Sequence, residues 1–226
     1  MSKFDNKVVL VTGAAGALGQ AVVTHFAHRG ATLAQLDVLE ISNDHYSATC
    51  DLTDAAGCMA AVEAIVSALG RIDVLANIAG GFTMGEPVHE TGTDTWDFMM
   101  GLNAGSVLNM ARAVVPLMLD AGGGRIVNVG AGAGQKGAGN MGAYGASKSV
   151  VIRLTESMAE ELKAHGINVN CILPSIIDTE RNRADMPDAD FSKWVTPEAM
   201  AHVVGFLASK AASPIHGAAL PVSGLV

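Results

Sequence analysis

The sequence predicts an α/β fold: one doubly wound domain whose seven-stranded, mainly parallel sheet is covered by helices on both faces. Two observations carry this expectation. Short apolar, β-branched runs alternate with helix-length patterns along all 226 residues, with no linker, repeat or low-complexity insert between them. The residues with chemical potential fall just after the strands or at helix starts, which is where open parallel sheets hold ligands. A chain of this length suits one large domain, taken here as residues 1–226.

The bulk composition agrees. Half of the residues are hydrophobic and only 16% are charged, so a substantial core is available and global disorder is not expected. The formal charge of −8, without a basic run, argues against nucleic acid and anionic membranes as partners. The N-terminal Met1-Ser2-Lys3-Phe4 stretch lacks the apolar core of a signal peptide. The longest uncharged stretches are interrupted by Gly, Thr, Asn or Gln, as in a packed core rather than a membrane span. Cys50, Cys58 and Cys171 are odd in number and lack metal-ligand spacing. They read as reduced core thiols of a cytoplasmic protein, and no metal site is expected.

Lys7 to Thr12 is the first buried strand, and the small-residue turn Gly13-Ala14-Ala15-Gly16-Ala17-Leu18-Gly19 leads into a helix ending near Gly30. Strand, turn and helix make a phosphate site when the helix N–H groups point outward and small side chains let a pyrophosphate approach. A glycine turn alone is often just a tight connection; the strand-to-helix context favours the nucleotide reading. Ala31 to Leu36 is the second strand, and Asp37 at its end can accept hydrogen bonds from an adenosine ribose while repelling a 2′-phosphate. Neither Ala15 nor Val38 supplies a basic group, so NAD(H) is favoured over NADP(H).

Ser47 to Cys50 is a short third strand. Thr53 or Asp54 can cap the helix that runs to Leu69, which leaves Asp51 to face an adenine amino group. Ile72 to Ala76 is the fourth strand, ending in Asn77-Ile78-Ala79-Gly80-Gly81-Phe82, where small residues again open the backbone to a ligand. A long helix is expected from about Thr93 to Leu119, with Asn103 inside it as a satisfied core amide or a group placed for chemistry.

Arg125 to Val129 is the fifth strand. The glycine-rich stretch after it leads to Tyr144 and Lys148, one helical turn apart if a helix starts near Met141. A cation beside a phenol is expected to lower the phenol pKa and make Tyr144 a proton donor near neutral pH. Alone, the pair could be accidental. The helix to His165 is apolar on more than one face. Asn168 to Leu173 is the sixth strand and ends at Pro174. Residues 175–195 lack periodicity and contain Phe191 and Trp194, as expected of a substrate-capping loop. Thr196-Pro197 opens the last helix, and Ala218 to Val222 is the seventh strand.

These residues in this order resemble the short-chain dehydrogenase/reductase family over essentially the whole chain. The family's Thr-Gly-x-x-x-Gly-x-Gly turn appears at Thr12 to Gly19, with Ala17 at the middle glycine and Gly16 one place earlier. Asp37, Asp51, Asn77-Ile78-Ala79-Gly80, Asn103, Tyr144-x-x-x-Lys148 and Pro174 to Thr179 match its further motifs. The resemblance implies an NAD-binding Rossmann domain and an NAD(P)H-dependent oxidoreductase. Gly13, Gly16, Ala17, Leu18, Gly19, Asp37, Asp51, Leu52, Asn77, Ala79, Gly80, Tyr144, Lys148, Pro174 and Thr179 would meet the cofactor. Tyr144, Lys148 and Asn103 would be catalytic, with Asn103 placing a water between Lys148 and solvent. It also implies a homodimer or homotetramer.

The family's catalytic serine lies thirteen residues before the tyrosine, and here that position is Ala131. A branch that also lacks the serine, the quinonoid dihydropteridine reductases, is similar in the Gly16-Ala17-Leu18-Gly19 turn and in Gly80-Gly81-Phe82. It is similar again from Asn182-Arg183 through Met186-Pro187 to Phe191, Ser192 and Trp194. This narrower resemblance implies a small carbonyl or quinonoid substrate, with Phe82, Ala131 and Trp194 beside it. Asn103 fits the classical members better. The alternative is an NAD(H)-binding sensor or scaffold with weakened catalysis.

Overall fold

A computed structural model describes residues 3–226. Seven strands form one sheet in the order β3-β2-β1-β4-β5-β6-β7, and every neighbouring pair is parallel. The strands are β1 (Val8–Thr12), β2 (Thr32–Asp37), β3 (Tyr46–Thr49), β4 (Val74–Asn77), β5 (Gly124–Val129), β6 (Ile167–Pro174) and β7 (Ala219–Val222). β1, β4 and β6 are buried along their whole length, which is why they read as continuous apolar runs rather than alternating ones. The strand order reverses between β1 and β4, so their carboxyl ends open a crevice at the switch point.

Two apolar layers enclose the sheet. On one face α1 (Ala17–Ala27) packs with the C-terminal helix of residues 197–207, burying Val22, Phe26, Met200 and Val204 against Val9 and Val11. On the other, α2 (Ala55–Leu69) joins the 93–120 helix over Leu10, Leu75 and Ile126. Asp54, not Thr53, caps α2 by accepting the Ala56 N–H, and Gly70 ends it in the left-handed conformation. At the amino end of the sheet, burial alone would raise the Asp73 pKa. Bonds from Lys7, the Val8 N–H and Arg71 outweigh that and hold the carboxyl below its usual range.

The predicted long helix is present but not uniform. It comprises α3 (Thr93–Met99), a π-helical turn over Met100–Gly105 and α4 (Ser106–Asp120). By length and composition alone it could span a membrane. Here it is a core helix, packed on α2 and on α5 (Gly142–Leu162). Residues 175–195 also carry more structure than an irregular loop. Thr179 accepts the Asn182 N–H and caps α6 (Glu180–Asp185), and a single 3-10 turn spans Phe191–Lys193. α7 (Pro197–Leu207) follows, capped by Thr196. Six residues are too few to show helical periodicity, which is why the pattern looked structureless.

Candidate active site

The carboxyl ends of β1, β2, β4, β5 and β6 deliver Thr12, Asp37, Asn77, Val129 and Pro174 to one rim of the sheet. The glycine turn after β1 is shaped by its own close approaches. Gly13 has φ +65°, and a Cβ there would lie 2.7 Å from the Ala79 Cα, so the β1 and β4 turns touch backbone to backbone. A Cβ on Gly19 would lie 2.7 Å from the Ala14 Cα, which locks α1 onto the turn. Gly16 and Ala17 are exposed, whereas Leu18 and Gly19 are buried. Gly16 occupies the N-cap of α1, and no side chain caps it, so the first helical N–H groups remain available to an anion.

Asp37 stands beside this turn. Its carboxylate accepts from the Ala15 N–H at 2.9 Å and the Leu39 N–H at 3.0 Å, which ties the end of β2 to the glycine turn after β1. Asp51 accepts from both the Thr53 N–H and the Thr53 hydroxyl, and these bonds hold its carboxyl below the usual range. It therefore has a structural role besides the one expected of it, while Leu52 beside it is buried. The carbonyls of Leu52 and Thr53 are held by Asn109 Nδ2 at 2.9 and 3.3 Å.

At the centre of the rim the side chains form a buried polar group. Asn77 donates to Asn128, which donates to Thr155, which donates to the Val151 carbonyl. Asn77 Oδ1 is buried without a partner. An uncapped helix start behind a glycine turn, a carboxylate at the end of β2 and an orphaned amide oxygen at the end of β4 together fit a dinucleotide laid across the switch point.

Tyr144 and Lys148 lie on consecutive turns of α5, and Met141 occupies its N-cap, as the spacing predicts. Their electrostatics differ from the expectation. Burial pushes the Tyr144 phenol above its ordinary value of 10, and Lys148 does not offset it. The Lys148 ammonium donates to the Val129 carbonyl at 2.9 Å, and desolvation lowers its pKa from 10.5 to about 8. The shared helix face is real, but the lysine proton is directed at the end of β5. Phe82 packs edge-on against the Tyr144 ring at 4.9 Å and is half exposed. Trp194 is buried against Phe191 at 4.8 Å, so the two expected substrate aromatics each have another ring partner.

Asn103 lies in the π-helical turn, and its amide is fully engaged. Oδ1 accepts the Gly81 N–H, while Nδ2 donates to the Gly81 carbonyl and to Ser147 Oγ. Its place near Lys148 follows from Gly80: a Cβ there would lie 2.8 Å from Asn103 Oδ1 and 3.0 Å from Lys148 Nζ. Ala131 is buried with an extended backbone, and a methyl stands where a hydroxyl was sought. Pro174 ends β6, and Thr179 is committed to capping α6.

Sequence reasoning missed Ser147, Asn109, Asn128 and Thr155. Asn128 carried a usable signal, a polar residue inside an apolar strand, but Ser147 and Asn109 looked like ordinary helix residues.

Comparison with known proteins identifies the family. The family model described as short chain dehydrogenase matches residues 7–190. The chain is 35% identical to a D-threitol dehydrogenase of Mycolicibacterium smegmatis, over 98% of this chain and 93% of that one. It is 32% identical to a 3-oxoacyl-acyl-carrier-protein reductase of Thermotoga maritima, over 98% of each. Among solved structures it is similar to a carveol dehydrogenase from Mycobacterium avium in complex with NAD. That match has a TM-score of 0.88 and 28% identity, covering 99% of this chain and 98% of the other. An NAD+-bound xylitol dehydrogenase is similar with a TM-score of 0.87 and 29% identity, over 98% of this chain and 99% of the other. With a family model matched over most of its length and a relative 35% identical over nearly the whole of it, the chain belongs to the short-chain dehydrogenase/reductase family of NAD(P)-dependent oxidoreductases.

Proposed function

We propose that this protein is an NADH-dependent reductase of a small carbonyl or quinonoid (C=O or C=N) substrate, with Tyr144 as the proton donor. The observation that carries the reading is the placement of Tyr144, one turn from Lys148 on α5 and edge-on to Phe82. Burial raises the phenol pKa above its ordinary value, so Tyr144 holds its proton at neutral pH and would give it up only as negative charge develops on the substrate. Lys148, whose pKa desolvation lowers to about 8 beside the Val129 carbonyl, would bind the cofactor's nicotinamide ribose. The nicotinamide, when bound, supplies the hydride.

The remaining contacts are assigned on the same rim. Residues 13 to 19 would hold the pyrophosphate, Asp37 the adenosine ribose, Asp51 and Leu52 the adenine, and Asn77, Ala79, Gly80, Pro174 and Thr179 the nicotinamide half. The Asp37 carboxylate already faces the phosphate turn, where a 2′-phosphate would be repelled, which supports NADH over NADPH. Two NAD-bound structural neighbours support it too.

Ala131 narrows the substrate. Losing one donor to a developing oxyanion costs about 10²–10³ in rate where the chemistry needs it. An electron-poor quinonoid ring needs it least, and Phe82 offers a flat apolar wall beside the phenol. The curated relatives described above are named for a polyol and a ketoacyl substrate, and neither is a dihydropteridine reductase. The pterin-type substrate therefore rests on Ala131, Phe82 and the 182–194 segment. A homodimer or homotetramer through the 93–120 and 142–162 helices is supported by exposed Trp96, Phe98 and Leu108.

The test is NADH oxidation against quinonoid dihydropterin, a ketoacyl thioester and small polyol-derived ketones. Turnover should be highest with the quinonoid compound, and Tyr144→Phe should abolish it while NADH still binds. Undiminished turnover by Tyr144→Phe would refute the donor role. Tight NADH binding with no turnover of any acceptor would leave a nucleotide sensor.

A further inference from the structure

Tyr144 is held by a closed circuit of contacts, and one member of that circuit has no assigned role. Asn103 is its hub. Through Oδ1 and Nδ2 it binds both backbone groups of Gly81, at 3.0 and 3.1 Å, and so fixes the chain that leads directly into Phe82. The Phe82 ring meets the Tyr144 ring edge-on at 4.9 Å. On its other side, Asn103 Nδ2 donates to Ser147 Oγ at 3.0 Å, and Ser147 Oγ donates to the Tyr144 carbonyl at 2.8 Å. The circuit thus runs from the phenol through Phe82, Gly81, Asn103 and Ser147 to the backbone of the same tyrosine.

The local backbone explains why the hub can reach so far. Asn103 lies in the π-helical turn between α3 and α4, and such turns widen a helix and recur at functional sites. Ser106 covers the carbonyl side of that turn by donating to the Leu102 carbonyl. Ser147 is fully buried on α5, so its hydroxyl has no water to satisfy it, and both of its bonds are internal. Removing it would strip Asn103 of its one bond to α5 among the described residues and Tyr144 of a second donor to its carbonyl.

We propose that Ser147 is a positioning residue for Tyr144, linking the π-turn amide of Asn103 to the first turn of α5 and so fixing where the phenol stands. The proposal rests on the reading of Tyr144 as proton donor. The hydroxyl touches neither substrate nor cofactor and moves no proton in the reaction; it acts through the tyrosine it holds.

The test is a double-mutant cycle in the full-length chain, with NADH and the best acceptor of the panel above. Ser147→Ala should lower kcat by about ten- to hundredfold, the cost of misplacing a reacting group by a fraction of an ångström to an ångström. The Kd for NADH should not change. The loss should not multiply with that of Asn103→Ala, because both variants open the same circuit. Independent, multiplying losses would overturn the proposal, as would wild-type kcat in Ser147→Ala. If Ser147→Ala does not fold, Ser147→Cys keeps a slightly larger, weakly hydrogen-bonding group at the Oγ position and weakens both bonds. Intermediate kcat in that variant supports the link, and wild-type kcat overturns it. Tyr144→Phe separates the two readings: retained turnover there removes the donor role itself, whereas an inactive Tyr144→Phe beside a fully active Ser147→Ala removes only the role of Ser147.

Discussion

The burial of Lys148 predicts that its replacement makes the cofactor-free protein more stable while abolishing turnover. The ammonium is almost wholly buried, and desolvation lowers its pKa from 10.5 to about 8. At about 1.4 kcal/mol per pKa unit, keeping that charge inside the fold costs about 3 kcal/mol at neutral pH. Methionine fills a similar volume without the charge. It leaves the Val129 carbonyl without its Lys148 donor, which costs about 1–3 kcal/mol. The balance is a gain of about 0–2 kcal/mol for Lys148→Met, or up to about 8 °C in Tm for a chain of this size. The pH dependence gives an independent sign. Below pH 8 the lysine is charged in both the folded and unfolded states, so the whole penalty applies. Between about pH 8 and 10.5 the folded state sheds its proton first, and the wild type gains stability as pH rises. Thermal melts without NADH should show a higher Tm for Lys148→Met at pH 7 and a gap that closes toward pH 10. A Tm several degrees lower at pH 7, or a constant gap, would refute the assignment of a desolvated ammonium.

Two further outcomes are expected. His25 on α1 is buried against α7, close to His202 and Arg29, and burial first, then Arg29 and the neighbouring histidines, push its pKa down to about 4. Its folded pKa is depressed, so stability should fall as pH drops from about 6.5 toward 4, and denaturant midpoints of His25→Leu should lose that part of the slope. Ala131→Ser places a hydroxyl on an extended, unstrained backbone. If its absence selects the substrate, kcat/KM for simple ketones should rise by about 10²-fold and that for a quinonoid acceptor far less; equal changes for both would count against the reading.

The layers of the fold were legible because each strand is an apolar run bounded by turn residues, and parallel strands buried on both faces leave little room for other patterns. The rim was legible for the same reason: Asp37, Asn77 and Pro174 are polar or rigid residues at the end of an apolar run. What stayed hidden depends on directions that residue type does not encode. Four residues of spacing put Tyr144 and Lys148 on one face, but only tertiary packing decides that the ammonium meets the Val129 carbonyl. The π turn leaves no mark in an apolar helix of residues 93–120, since its polar Asn103 looks like any mildly unfavourable helix asparagine. Asp51 was assigned a ligand by elimination, and the structure gives it Thr53 as well.

The 93–120 helix explains why a polar site can rest on so apolar an element. Of its buried amides, Asn103 holds the Gly81 backbone near the phenol, and Asn109 holds the carbonyls of Leu52 and Thr53 beside Asp51, the residue proposed to meet the adenine. Both side chains satisfy backbone groups in loops that no sheet ladder covers, and an unpaired buried carbonyl or N–H would cost about 1–3 kcal/mol each. The apolar residues between them, Val107, Met110 and Val114, anchor the helix to the sheet. Because one helix holds both loops, the distance between the 52–53 loop and the Gly81 loop is set by the fold itself. The cost of that pre-organisation is concentrated where the helix departs from α geometry, at the turn that carries Asn103.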